Sequence, residues 1–385
     1  MPAAPSIQAL LLDPSTAAGL SLSQWDLLIR QGRAANLLAR LAESLSQRGG
    51  STTVPPAARL HLESALRIAE RQDIALRWEL ACIADALDGN CERVALLKGA
   101  AYAALGLPFA ATRIFSDVDI LVPHADLARV ETALLIHGWH FNDISPHDQR
   151  YYRRWMHELP PLHHRQRGTT LDVHHGLLPP TARLSLDRAA LFEHWVDLPA
   201  FPGLCVLPPT SMLLHSAIHL FHEGEFGNGL RDLFDLDGLI RHFGPRSGFW
   251  HALLDHSARL GAGRPLFYAL RMTTQVLATP VPDDVMRDRR LAPPAWPLAL
   301  GMQHLYAQAL RPDHDSCASA GRRVACWLLY LRSHWLRMPI GLLAAHLGRK
   351  AWRRLSGQDA REAERRQRAD AKPEHGRRPR SHQND

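Results

Sequence analysis

Apolar residues recur at helical spacing through residues 1–90. Leu27, Leu28, Leu37, Leu38 and Leu41 fall on that period. A longer run from Pro56 to Leu87 carries Leu60, Leu62, Leu66, Ile68, Ile74, Leu76, Leu80, Ile83 and Leu87, with no glycine and no proline after its start. Gly89-Asn90 supplies the stop. The pattern then shortens. Arg93–Leu97 reads as an apolar strand, and Lys98-Gly99 opens a helix over Ala100–Leu105 that Gly106 and Pro108 end. Val118–Val122 reads as a buried strand, Asp126–His137 as a helix, and Gly138–Phe141 as the next strand. Tyr151–His157, Leu162–Gln166 and Thr169–His174 complete the strand-like segments, the last after an Arg167-Gly168 turn. Beyond Pro179-Pro180 the period is helical again. One helix starts at Pro208-Pro209-Thr210, another spans Leu230–Ile240 after Gly227-Asn228-Gly229, and more fill 247–345. The expected fold is α+β. A small mixed-sheet core (91–180) is flanked by an N-terminal helical region (1–90) and a C-terminal helical domain (181–355). Residues 356–385 form a polar, basic tail too poor in apolar residues to fold.

Composition narrows this picture. The hydrophobic share, 46%, is ordinary for a globular chain. The formal charge is +7, but Arg349–Asp385 alone holds twelve Lys/Arg against six Asp/Glu, so the remainder is close to neutral. The charge belongs to a tail that could touch anionic surfaces. It does not describe a basic face on the body, which argues against a long RNA footprint there. The five cysteines (Cys82, Cys91, Cys205, Cys317, Cys326) are scattered and form no C-x-x-C pair. Reduced thiols in a cytoplasmic protein are the expectation. The start of the chain lacks a basic region followed by an apolar core, and no window approaches about 18 apolar residues. Neither a signal peptide nor a transmembrane segment is expected.

The chemistry concentrates in Ser116-Asp117-Val118-Asp119-Ile120-Leu121-Val122. Strand alternation puts Asp117 and Asp119 on one face, with two like charges side by side at the start of a buried strand. A core strand gains nothing from such a pair, whereas a divalent cation resolves the repulsion. Mg²⁺ in particular takes carboxylates together with phosphate oxygens.

The order Leu97-Lys98-Gly99, then Arg113-x-x-Ser116-Asp117-x-Asp119-Ile120-Leu121-Val122, then Leu171-Asp172-x-His174 resembles the bacterial uncharacterised nucleotidyltransferase family of the polymerase-β-like superfamily. The helical lead-in, the Leu207–Thr210 helix start with His219 and His222, and Leu230-Arg231 with Asp235 extend the likeness over roughly residues 20–245. The resemblance implies a D-x-D strand beside a strand carrying a third carboxylate, assigned to Asp172. Asp117, Asp119 and Asp172 would then be both the catalytic residues and the ligands of Mg²⁺ (or Mn²⁺), since two-metal phosphoryl transfer needs several acidic groups. Lys98, Gly99, Arg113 and Ser116 would bind the nucleotide. Lys98 would meet a phosphate as a point charge, Gly99 would allow close backbone approach, and Arg113 would neutralise charge or pair with the aspartates. Ser116 reads equally as a turn residue. His174 shares the face of Asp172 and would touch the substrate or support a ligand. Ala100 departs from the commoner Gly-Ser signature of the superfamily. The implied reaction moves a nucleoside monophosphate from a nucleoside triphosphate to a hydroxyl or phosphate on a small molecule, a protein or an RNA end. Pyrophosphate is released.

Other polar clusters compete. His163, His164, His174 and His175 would mimic a zinc site if a hairpin gathered them, although solvated or packed histidines are commoner. His215, His219 and His222 line one helix face, with Asp232, Asp235 and Asp237 on the next helix. They read either as a His/Asp metal phosphohydrolase centre or as an inter-helix hydrogen-bond network, and the second is favoured. A non-catalytic accessory protein that keeps the fold is the remaining alternative. Cys326–Arg354 mixes aromatic, aliphatic and Arg residues. It reads as a packed helix pair broken at Pro339 or as a surface for anionic membranes.

Overall fold

Long apolar repeats bounded by proline and glycine become helices, and the short runs between them become one sheet. A computed structural model describes residues 5–47, 54–142, 152 and 155–337. The tail from Met338 onward lies outside them, as does most of Tyr151–His157, where Tyr152 and Trp155 are helical and not extended. Among the described residues there are fourteen α-helices and seven strands. α1 (Ile7–Leu12), α2 (Leu22–Ala34), α3 (Leu38–Gln47) and α4 (Pro56–Leu87) precede the sheet. α2 begins in a capping box, where Ser21 and Gln24 satisfy each other's backbone N–H groups. The long helix α4 occupies the predicted span. Its inward stripe is narrower than the apolar pattern suggests: Leu62, Leu76, Leu80, Ile83 and Leu87 are buried, while Leu60, Ile68 and Ile74 are at least half exposed. A 32-residue helix outruns the body it packs on, so only one face can be covered.

The sheet contains β1 (Val94–Leu96), β2 (Val118–Leu121), β3 (Trp139–Phe141), β4 (Leu162–His164), β5 (Thr170–His174), β6 (Val196–Asp197) and β7 (Leu204–Val206). Its order is β3-β4-β5-β2-β1-β7-β6. The strand β2 lies between β1, to which it is antiparallel, and β5, to which it is parallel. The expectation of helices alone beyond Pro180 fails here. β6 and β7 join the same sheet, β7 running parallel to β1 with Val94 opposite Leu204. A two-residue strand and a three-residue strand are too short for an alternation of polar and apolar residues to announce them.

Two helices lie between the strands in the chain: α5 (Lys98–Ala104), packed on β1 and β2, and α6 (Leu127–Ile136), packed on β3 and α4. Eight more follow: α7 (Arg188–Leu191), α8 (Pro209–Ile218), α9 (Gly229–Phe243), α10 (Phe249–Leu260), α11 (Gly263–Leu277), α12 (Asp283–Met286), α13 (Trp296–Ala309) and α14 (Ala320–Arg337). After α8 the backbone widens into a π turn, His219–Glu223. Two polar ties hold helices to the sheet region. Buried Glu79 of α4 accepts two N–H bonds from Arg167, both at 2.8 Å, and one from the Thr169 hydroxyl at 3.0 Å. Tyr102 of α5 and Ser216 of α8 share a 2.5 Å hydrogen bond. Both involve buried polar groups that would be costly without a partner.

Candidate active site

The end of β1 delivers the first site residue. Leu97 N–H donates to the Asp119 carbonyl at 2.9 Å, so the chain turns into α5 directly beside β2. Lys98, the first residue of α5, has φ +44°, a left-handed conformation uncommon for a residue with a side chain. Its ammonium stands 3.1 Å from Asp119 Oδ1. Gly99 follows, buried, with the Arg113 guanidinium against it. A methyl group on Gly99 would overlap Arg113 Nη1 and lie 2.5 Å from Arg113 Cζ and 2.9 Å from Phe115 Cε1. The space expected for an approaching phosphate is filled at this position by an arginine. Gly99→Ala is accordingly expected to destabilise the fold by about 1–3 kcal/mol, the usual cost of overpacking, read as a lower midpoint of urea unfolding. An unchanged midpoint would mean that the guanidinium moves freely.

The aspartates arrive by strand register. Asp119 of β2 faces Asp172 of β5 across a parallel pair, and Asp117 precedes β2 by one residue. The Ser116 hydroxyl donates to Asp117 Oδ1 at 2.9 Å, and Ser116 itself is exposed, as a turn residue would be. Burial alone would raise the Asp119 carboxyl. Lys98 and a 3.1 Å hydrogen bond from His174 Nε2 instead hold it well below the usual carboxylate range. Asp172 goes the other way. Burial first, then the charges of Asp119, Glu158 and Asp117, push it up to about 7. Its Oδ1 is buried and has no hydrogen-bond partner among the described residues. The two carboxylates opposite each other thus differ: Asp119 is ionised and stabilised, whereas Asp172 is raised and unsatisfied. The donor chemistry is all oxygen, which suits Mg²⁺.

His174 is buried and tied on both sides, by Nε2 to Asp119 and by Nδ1 to Glu158 Oε2 at 3.4 Å. Burial lowers its pKa, but the bond to Asp119 and the two acidic charges raise it above the ordinary histidine value. Sequence reasoning placed His174 on the face of Asp172 and missed Glu158. The signal available for Glu158 was only its adjacency to His157, upstream of the Asp172-x-His174 strand.

Arg113 departs from its expected role at the phosphates. Its Nε donates to Asp235 Oδ2 at 2.8 Å, with both side chains buried, and its guanidinium lies over the Phe115 ring. The acid it pairs with is on α9, and neither Asp117 nor Asp119 is that partner. Burial disfavours the charged guanidinium, but Asp235 and Asp232 more than restore it.

The other clusters separate. His163 shares a hydrogen bond with Thr170, His164 with the His137 carbonyl, and His175 packs edge-on against His124, so these do not meet His174 as a four-histidine site. On α8, buried His215 is pushed well below the ordinary histidine value by burial and by the charges of Lys98, His219 and His174. The His215 face therefore backs the aspartate region. Asp235 is committed to Arg113, and His219 acts electrostatically on Asp119 and Asp232. Among the described residues, the ligand atoms that lie within 4.8 Å of one another are those of His157, Glu158 and His174. Asp117, Asp119 and Asp172 do not form such a group.

Residues 21–278 match the model of a family described as uncharacterised nucleotidyltransferase. The match runs from α2 through α11 and takes in every strand of the sheet. No curated protein and no solved structure matches the chain. No helix among the described residues is long and apolar enough to cross a membrane.

Proposed function

The chain belongs to the uncharacterised nucleotidyltransferase family, and from that premise we propose that it transfers a nucleoside monophosphate from a nucleoside triphosphate to a hydroxyl or phosphate acceptor. The observation that carries the proposal is the register pairing of Asp119 with Asp172 on parallel strands, with Asp117 beside them and Lys98 on Asp119. The acceptor oxygen bonds to the α-phosphorus, the bond to the β-phosphate oxygen breaks, and pyrophosphate leaves. Asp117, Asp119 and Asp172 would hold Mg²⁺ or Mn²⁺. That ion supplies charge neutralisation and in-line alignment of the phosphates when bound. Asp172, opposite Asp119 across the parallel pair, is the group we assign to take the acceptor's proton. Lys98, two-thirds or more covered yet reachable, would leave Asp119 for a phosphate oxygen once a cation neutralises that carboxylate. Arg113 has no part in this scheme. Buried His215 of α8 backs the aspartates and Lys98.

The direct test incubates the protein with each α-labelled triphosphate, Mg²⁺ and candidate acceptors. Label should pass to an acceptor with pyrophosphate in equal amount. Phosphate release without label transfer would point to hydrolysis and overturn the reading.

Cation binding makes a second, acceptor-free prediction. Asp172 has its folded pKa raised from the ordinary 3.8 to about 7, so the folded state holds a proton that the unfolded chain has lost. Stability therefore falls as pH rises from about 4 to about 7, and the full cost persists above that. A cation at the aspartates should cancel this cost. Mg²⁺ is expected to raise the melting temperature over that in chelator more at pH 8 than at pH 5.5. Asp172→Asn should raise the metal-free value at pH 8 and remove the difference. Equal Mg²⁺ effects at both pH values would count against the aspartate site.

A further inference from the structure

Next to the aspartates lies a group with different donor chemistry. Glu158 forms an isolated antiparallel bridge with His174, extending the β4 side of β5. Backbone bonds on either side clamp it: Leu159 N–H donates to the Val173 carbonyl and His175 N–H to the His157 carbonyl, both at 2.8 Å. This register puts three side chains together. The imidazoles of His157 and His174 are buried with ring centroids 5.5 Å apart, and the half-buried Glu158 carboxylate reaches them. One ligand atom from each falls within 4.8 Å of the other two.

We propose that His157, Glu158 and His174 form a binding site for a divalent transition-metal ion of the Zn²⁺ class. Two imidazole nitrogens and one carboxylate oxygen are the donor set of open three-ligand zinc sites, whereas Mg²⁺ prefers oxygen alone. Ligands at 2.0–2.1 Å around a tetrahedral ion stand about 3.3 Å from each other. His174 Nδ1 and Glu158 Oε2 are 3.4 Å apart. The other nitrogen of His174 faces Asp119 Oδ1 at 3.1 Å, the arrangement by which a carboxylate orients a metal-bound histidine. A bound ion would therefore fix the proton of His174 on Nε2 and the direction of its hydrogen bond to Asp119. That consequence for Asp119 rests on the transferase reading; the site itself does not.

The test uses the full-length protein, stripped of metal and titrated with Co²⁺, whose visible absorption strengthens on entering a low-coordinate nitrogen/oxygen site. A saturable band is expected, displaced by Zn²⁺ and unaffected by excess Mg²⁺. His157→Ala and Glu158→Gln should each weaken Co²⁺ binding beyond the roughly 10–100-fold seen when only an outer-shell partner is lost. Asp117→Asn should leave the band in place. Glu158→Gln keeps the side chain's size, and circular dichroism confirms that each variant is folded. No band, a band that survives both ligand variants, or one abolished only by Asp117→Asn would overturn the site. A band in a protein that releases phosphate without label transfer would support this site while removing the transferase reading, so the two fail separately.

Discussion

Asp119→Asn is expected to lower nucleotide transfer about 10³-fold while leaving a folded protein. The isosteric amide keeps the side chain's volume and a partner for His174, but removes the charge that Lys98 and a cation share. Losing a charged ligand of this kind forfeits several kcal/mol of stabilisation where charge develops, and each ~1.4 kcal/mol is tenfold in rate. Asp117→Asn should fall comparably. It is partly exposed and carries little of the fold, which makes it the cleaner probe. Single-turnover transfer of α-label measures both. Wild-type rates in the double variant would remove Asp117 and Asp119 from the chemistry.

Arg113→Met should have the largest effect on stability, about 3–5 kcal/mol. It strands Asp235 as a buried carboxylate on α9, one oxygen of which already finds no hydrogen bond among the described residues. The companion experiment replaces both partners, Arg113→Met with Asp235→Leu. Apolar groups of similar volume should recover most of the loss, because the cost lies in the uncompensated charge and not in the contact. Denaturant midpoints of the two single variants, the double variant and the parent decide the matter. Should Arg113→Met unfold within about 1 kcal/mol of the parent yet raise the KM for nucleotide, the guanidinium would belong with the phosphates after all.

These outcomes bear on what the sequence could reveal. The D-x-D strand, its antiparallel neighbour ending at Lys98, and the strand carrying Asp172 were legible because each is a short apolar run ending in residues no core needs. α4 was legible from its apolar period between Pro56 and the Gly89-Asn90 stop, although its buried stripe was not, since exposure depends on what packs against it. The Arg113–Asp235 pair was hidden because its members are 122 positions apart and both read naturally as site residues. Glu158 was hidden because an acidic residue before Leu159-Pro160-Pro161 looks like a loop residue until a bridge to His174 fixes it. The strands β6 and β7 carry too few residues to show a period. What remained illegible was long-range pairing, which no local pattern encodes.

The placement of β1 in the sheet has a consequence for how the molecule is made. β1 needs β2 on one side and β7 on the other, and β7 is synthesised more than a hundred residues after it. Until Leu204–Val206 emerge from the ribosome, the strand that leads into Lys98 has one edge of unpaired backbone groups along a fully apolar segment. Such an edge is a template for pairing with other chains. The polar surroundings of Lys98 and Asp119 therefore form on a scaffold that closes late. A nascent chain arrested before Leu204 should be captured by holdase chaperones, and one arrested well beyond Val206 should escape them.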